Sequence, residues 1–302
     1  MYARILVPLD GSELAEGVLP YVKLLSAKLQ PQIDLLRVIE PVPSELSDSA
    51  HGAYPHRISA SIASHAQDYL EQVAGPLREM GLKVDCDVHE GEPASLILSA
   101  AARNPDTLLA MSTHGRTGIT RWTMGSVTDK VLHAATVPLL VIRSPEHPAD
   151  RAEADLKAVI VPLDGSSLAE GILPYLTPLA SALNLKVTLL QVTAAAEEYY
   201  RFMDYPVGDY ADVARDVDAL AVNYLKKTSD RLKAEGVAAV AERLVHGHAA
   251  AAIIDLAEKT PDNLVAMGTH GRSGVGRWLL GSVTDQVVRH SGDPVLIIRT
   301  SN

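Results

Sequence analysis

Short apolar runs recur along the chain, and the intervals between them carry helical spacing. Residues 3–9 (ARILVPL) and 157–163 (KAVIVPL) are almost continuously apolar, as strands covered on both faces of a parallel sheet must be. Each gives way to Asp-Gly-Ser and then to a helical pattern. Residues 33–40 and 185–192 predict a second strand, followed by a long connection and a long helix. Residues 82–89 and 237–245 predict a third strand before a glycine and a short helix. A fourth, at 106–112 and 262–268, ends at Thr-His-Gly, and the last falls at 137–143 and 294–299. This alternation predicts an α/β fold, an open, doubly wound parallel sheet with helices on both faces. Ser12 and Ser166 are candidate N-caps, because a serine oxygen can accept from a free first-turn amide. Pro20 and Pro174 fall inside the helical stretch that follows and predict a kink or break in it.

The pattern occurs twice. Residues 5–21 return as 159–175, identical at 13 of 17 positions, and residues 113–143 return as 269–299. The offsets, 154 and 156 residues, far exceed the roughly 20–50 residues of solenoid repeats, so each copy is long enough to be a domain with its own core. Residues 1–147 and 155–302 are the expected domains, joined by the Pro-rich, charged stretch near 144–156.

With 302 residues and 47% hydrophobic content, the chain can fill two such cores. Its one cysteine, Cys86, cannot form an intrachain disulfide, and no apolar run reaches the ~18 residues of a membrane span. The N-terminus lacks the pattern of a secretory leader, so a cytoplasmic protein is expected. A net charge of −10 argues against nucleic-acid binding, which relies on clustered Lys and Arg, but leaves room for a small polyanion held by local donors.

Those donors are expected at the carboxyl ends of the strands, where ligands bind in open α/β sheets. Neither a P-loop nor a Gly-x-Gly-x-x-Gly fingerprint is present. Instead, Gly268-Thr-His-Gly271 is followed after nine residues by Gly281-Ser282-Val283 at the start of a predicted helix. Glycines admit phosphate oxygens close to the backbone, a helix N-terminus offers unpaired N–H groups, and a serine adds a hydroxyl. The first copy reads Ser112-Thr-His-Gly115, then Gly125-Ser126-Val127, so Ser112 replaces a glycine. If that position needs positive φ or touches ligand, the first copy binds more weakly; if it has ordinary β dihedrals, little is lost.

The strand–Asp start, the G-x2-G-x9-G-[ST] spacing and the closing Pro-hydrophobic strand, in this order and twice over, resemble the universal stress protein family in its tandem, ATP-binding form. The resemblance implies five-stranded sheets of order 3-2-1-4-5, with ATP, with or without Mg, over the carboxyl ends. By position, it implies that Asp164 holds the ribose and Val192 packs on adenine, while Gly268, Gly271, Gly281, Ser282 and Val283 hold phosphates and ribose. The first-copy positions are Asp10, Val38, Gly115, Gly125, Ser126 and Val127, with Ser112 departing from the pattern. It also implies pairing of the two copies through the edge strands 137–143 and 294–299 as an intrachain pseudo-dimer, with dimerisation of the whole chain left open.

Other readings stand beside these. Asp10 and Asp164 could cap the following helix, and Val38 and Val192 could be core. Arg116, Arg121, Arg272 and Arg277 could neutralise phosphate or lie in solvent; His114 and His270 suit structural hydrogen bonds; Trp122 and Trp278 suit apolar anchoring. Tyr199, Tyr200, Phe202, Tyr205 and Tyr210 crowd one connection of the second copy and could close over a base, dock between the domains or form an ordinary packed surface loop. Glu90-Gly-Glu92 is replaced by His246-Gly-His248, read as exposed loop histidines, with no metal site and no catalytic residue assigned. The expected function is a nucleotide-binding regulator in the stress response with an unidentified protein partner. A slow Mg-dependent ATP hydrolase and a nucleotide-free interaction protein are the alternatives.

Overall fold

Parallel strands covered on both faces must pair with their neighbours to satisfy their amides, and each apolar run forms a paired strand. The computed structural model describes residues 2–41, 54–113, 124–143, 153–193, 210–270 and 281–300, in two compact units, Met1–Ala154 and Asp155–Asn302. Unit 1 runs β1 (Arg4–Pro8), α1 (Leu19–Leu29), β2 (Gln32–Ile39), α2 (Tyr54–Glu79), β3 (Val84–Glu90), α3 (Pro93–Ala102), β4 (Thr107–Ser112), α4 (Ser126–Ala134) and β5 (Leu139–Ile142). Its strands pair in parallel in the order β3-β2-β1-β4-β5, with Ile5 opposite Ile33 and Leu6 opposite Leu109.

Unit 2 repeats this as β6 (Ala158–Pro162), α5 (Leu173–Leu183), β7 (Lys186–Thr193), α6 (Tyr210–Ala234), β8 (Ala239–His246), α7 (Ala249–Glu258), β9 (Asn263–His270), α8 (Ser282–His290) and β10 (Val295–Thr300). Its order is β8-β7-β6-β9-β10, all parallel, with Val159 opposite Val187 and Ile160 opposite Val265. Each unit is thus the doubly wound 3-2-1-4-5 sheet. The central strands carry the core: Ile5, Val7, Ile33, Leu35 and Leu109 in unit 1, and Val159, Ile160, Val161, Leu189 and Val265 in unit 2, are fully buried.

The long helices pack by one stripe. Ala66, Leu70, Ala74 and Leu77 are buried along α2, as are Ala221, Leu225 and Leu232 along α6, at the spacing a helix needs to put them on one face. The prolines break the first helix as expected. Pro20 and Pro174 lie in the first turns of α1 and α5, where the missing N–H costs nothing, and separate helical turns at Ala15–Val18 and Ser167–Glu170 precede them.

One cap breaks the symmetry of the units. Glu92 ends the β3 connection and accepts from the Ser95 amide at 2.7 Å, capping α3, while Lys130 Nζ on α4 donates to its other oxygen at 2.9 Å. The Ser95 bond first, then Lys130, pull its pKa down to about 2. Its unfolded value is roughly 4.3, so the ionised cap stabilises the fold fully above that pH and loses its contribution as pH falls towards 2. Urea midpoints of wild type and Glu92→Gln should therefore differ at pH 7 and converge as pH drops through this window; a gap that persists unchanged to pH 2 would place the effect elsewhere.

Candidate functional site

In each unit the chain leaves the first and fourth strands in opposite lateral directions, because β1 leads towards β2 and β4 leads towards β5 on the other side. Right-handed crossovers put those connections on opposite faces, and a crevice opens above the carboxyl ends of the two adjacent strands. Asp-Gly-Ser occupies one lip and the N-terminus of α4 or α8 the other. The cleft of unit 1 is about 320 Å³ and is lined by Asp10, Val38, Glu40, Met111, Ser112, Gly125, Ser126 and Val127, among others. That of unit 2 is about 270 Å³ and is lined by Asp164, Val192, Met267, Gly268, Gly281, Ser282 and Val283, among others. Residues far apart in sequence thus meet at corresponding places in both units. Gly115 and Gly271, with His114, Arg116, Arg121, Trp122, Arg272, Arg277, Trp278 and the His270 side chain, lie outside the described residues, as do Tyr199, Tyr200, Phe202, Tyr205 and the Tyr210 side chain.

The first lip is built by a short relay. Asp10 Oδ1 accepts from the Ser12 amide at 2.9 Å and from its hydroxyl at 2.5 Å, and Ser12 Oγ in turn accepts from the Ala15 amide at 3.1 Å. Asp164, Ser166 and Ala169 repeat this at 2.9, 2.6 and 3.1 Å. The serines are therefore the caps, and the aspartates position them. At Asp164 both bonds, from the Ser166 amide and hydroxyl, end on Oδ1. Gly11 and Gly165 make the turn possible with φ of +76° and +85°, a region costly for any residue with a Cβ.

The second lip is an open helix end. Gly125 and Gly281 are the N-caps of α4 and α8, and among the described residues neither helix start has a side-chain cap. The first-turn amides therefore face the cleft with the dipole's positive end behind them, and Ser126 and Ser282 add hydroxyls. Between the lips lie apolar walls: Val38, half-buried, with Pro93 and Ile97 in unit 1, and Val192 with Ala249 and Ile253 in unit 2. This donor set fits a polyanion carrying a flat apolar group and hydroxyls.

Gly268 and Ser112 are both strand residues, and neither has positive φ. The need for glycine at 268 is one of close approach. A Cβ there would lie 2.5 Å from the Leu168 carbonyl oxygen and 3.0 Å from that of Ala169. Ser112 carries the atoms that Gly268 excludes, and the facing turn in unit 1 is Ala15–Val18, two residues further along than the position matching Ser167–Glu170.

Two clusters around the clefts escaped sequence reasoning. Tyr69 Oη on α2 donates to Glu16 at 3.0 Å, and burial, then Glu16, raise its pKa so that it stays a donor. The Arg37 guanidinium lies 5.8 Å from the Tyr69 ring centroid and against Gly11. In unit 2, Tyr224 beside Glu170 matches the Tyr–Glu pair, but the cation comes from α6, with Arg231 donating to Glu170 at 2.8 Å. The recurrence of Tyr and Glu at matching positions was the available signal. The histidine reading needs correction: His246 is not a loop residue but ends β8, its Nε2 2.9 Å from Asp218 of α6, which also accepts from Thr193 at 3.3 Å.

The model of the universal stress protein family matches residues 1–143 and again 156–299. A universal stress protein of Mycolicibacterium smegmatis is 26% identical over 305 residues, covering 98% of this chain and 96% of the relative. One from Methanocaldococcus jannaschii is 27% identical over 146 residues, 48% of this chain and 85% of its own. The crystal structure of a universal stress protein from Archaeoglobus fulgidus DSM 4304 matches with a TM-score of 0.73 at 23% identity, covering 99% of each chain, a likeness of fold.

Replacing Gly268 by Ala should lower stability by ~1–3 kcal/mol, because the colliding atoms are backbone. Ser112→Gly should cost less than ~1 kcal/mol. Urea unfolding of both variants checks the asymmetry.

Proposed function

We propose that this chain, which belongs to the universal stress protein family, binds an adenine nucleotide in the cleft of each unit and acts through occupancy, as a cytoplasmic regulator of the stress response. The observation that carries this reading is the coincidence, twice in one chain, of a helix N-terminus with glycine at its cap, a carboxylate and an apolar wall in one crevice. In unit 2, the amides of Ser282 and Val283 with the Ser282 hydroxyl would take the phosphates, Asp164 the ribose hydroxyls and Val192 a face of the base. Ser126, Val127, Asp10 and Val38 would do the same in unit 1. Bound nucleotide would supply negative charge that completes the helix N-termini and ties the two lips of each cleft together. That tie is a means of favouring one conformation and hence one protein partner.

Denaturing protein purified from cells and identifying released nucleotide by mass spectrometry tests the reading. One or two ATP per chain is expected; ADP with phosphate release would favour the hydrolase, and no nucleotide with no heat on titration of Mg-ATP would overturn binding.

A sharper test uses the caps. At Gly281 φ is −56°, and a Cβ would meet only ordinary contacts at 3.6 Å and beyond, so aspartate fits. Gly281→Asp should cap α8 and preserve or raise stability by about a few tenths of a kcal/mol, yet its carboxylate should occupy the phosphate donors, repel phosphate and lower nucleotide affinity at least ~100-fold in unit 2. Gly125→Asp should do so in unit 1. Retained affinity in a stable double variant would sink the assignment of these amides.

A further inference from the structure

At the end away from the helix N-terminus, the cleft of unit 1 carries a carboxylate. Leu36, Val38 and Glu40 all line the cleft of unit 1. They are alternate residues along β2 and its continuation, so the pleat sets them on one face, with Glu40 just beyond the valine. Glu40 is exposed, and no hydrogen bond or ion pair engages it among the described residues. The strand order puts β2 on the far side of β1 from β4, so a ligand anchored by phosphate at α4 reaches Glu40 with its opposite end. The corresponding sequence position in unit 2 is Ala194, which lies outside the described residues and has no carboxylate to offer.

Building on the nucleotide reading above, we infer that Glu40 is a specificity-determining residue of the unit 1 cleft, selecting a purine whose edge donates a hydrogen bond there. An ionised carboxylate only accepts. The exocyclic amine of adenine donates to it, whereas the carbonyl oxygen that hypoxanthine has in that place meets it lone pair to lone pair. The unit 1 cleft therefore discriminates ATP from inosine triphosphate, and the unit 2 cleft discriminates less.

The test is calorimetric titration of the full chain with ATP and with inosine triphosphate. It uses wild type, Gly281→Asp to close the unit 2 cradle, and Gly281→Asp with Glu40→Gln. Circular dichroism checks each fold. Gly281→Asp should bind ATP about tenfold tighter than inosine triphosphate, the scale of one charge-assisted hydrogen bond. Glu40→Gln, whose amide can also donate, should bring the ratio to about one. An unchanged ratio in that variant overturns the role of Glu40 and leaves the nucleotide reading standing. Binding by wild type but not by Gly281→Asp confines nucleotide to unit 2, which overturns the inference and the unit 1 half of the nucleotide reading and leaves the unit 2 half standing. No binding of either nucleotide by wild type overturns the nucleotide reading, and the inference with it.

Discussion

The lateral pairing of the first and fourth strands, β1 with β4 and β6 with β9, is the constraint on which the site depends. These strands are the sheet's buried centre, held by ladder hydrogen bonds and by side chains without solvent contact such as Ile5, Leu109, Ile160 and Val265. Their connections must diverge because the next strands lie on opposite sides. The crevice is thus a product of topology, and the rigid strand ends beneath it fix the separation of its lips. An Asp-Gly-Ser turn and a helix start then need only local chemistry to become complementary walls.

That chemistry divides between groups already satisfied and groups left open. On one lip the serine hydroxyl caps the helical turn and the aspartate orients the serine, so the backbone there is rigid. On the other, glycine stands where a capping side chain would, and no side chain among the described residues caps the helix. A third helix start nearby, that of α3, shows the contrast, since Glu92 fills it internally. Ser or Asp in place of Gly125 or Gly281 would let the chain's own side chain cap these helix starts as Glu92 caps α3.

The fold was legible because its signals are local and repeated. Continuous apolar runs at spacings too short for buried helices read as parallel strands, and duplication separated signal from accident. The observed strands depart from the expected spans by only a few residues at their ends, where no burial pattern marks the boundary. The prolines announced a break because their effect depends on the backbone alone. The Arg37–Tyr69–Glu16 group and the His246–Asp218–Thr193 tie were not legible, since they join strands to long helices across gaps in sequence that periodicity does not encode. Sequence left open positive φ, ligand contact and ordinary β dihedrals at this pair of positions; both are strand residues without positive φ, and what it did not reveal is the clash a Cβ at 268 would make with the chain's own Leu168 and Ala169 carbonyls.

That close approach gives the duplicated halves unequal evolutionary latitude. At position 268 any side chain displaces main-chain atoms, so even alanine requires a compensating move in the turn after Asp164. At position 112 that rearrangement has already been made, and serine sits buried without closing the cleft. One half is held to a single residue type at the rim of its crevice, while its twin can exchange small residues one step at a time. A fused pair built this way can change the rim of one half step by step while the other stays fixed, and neither has to pass through an unfolded intermediate.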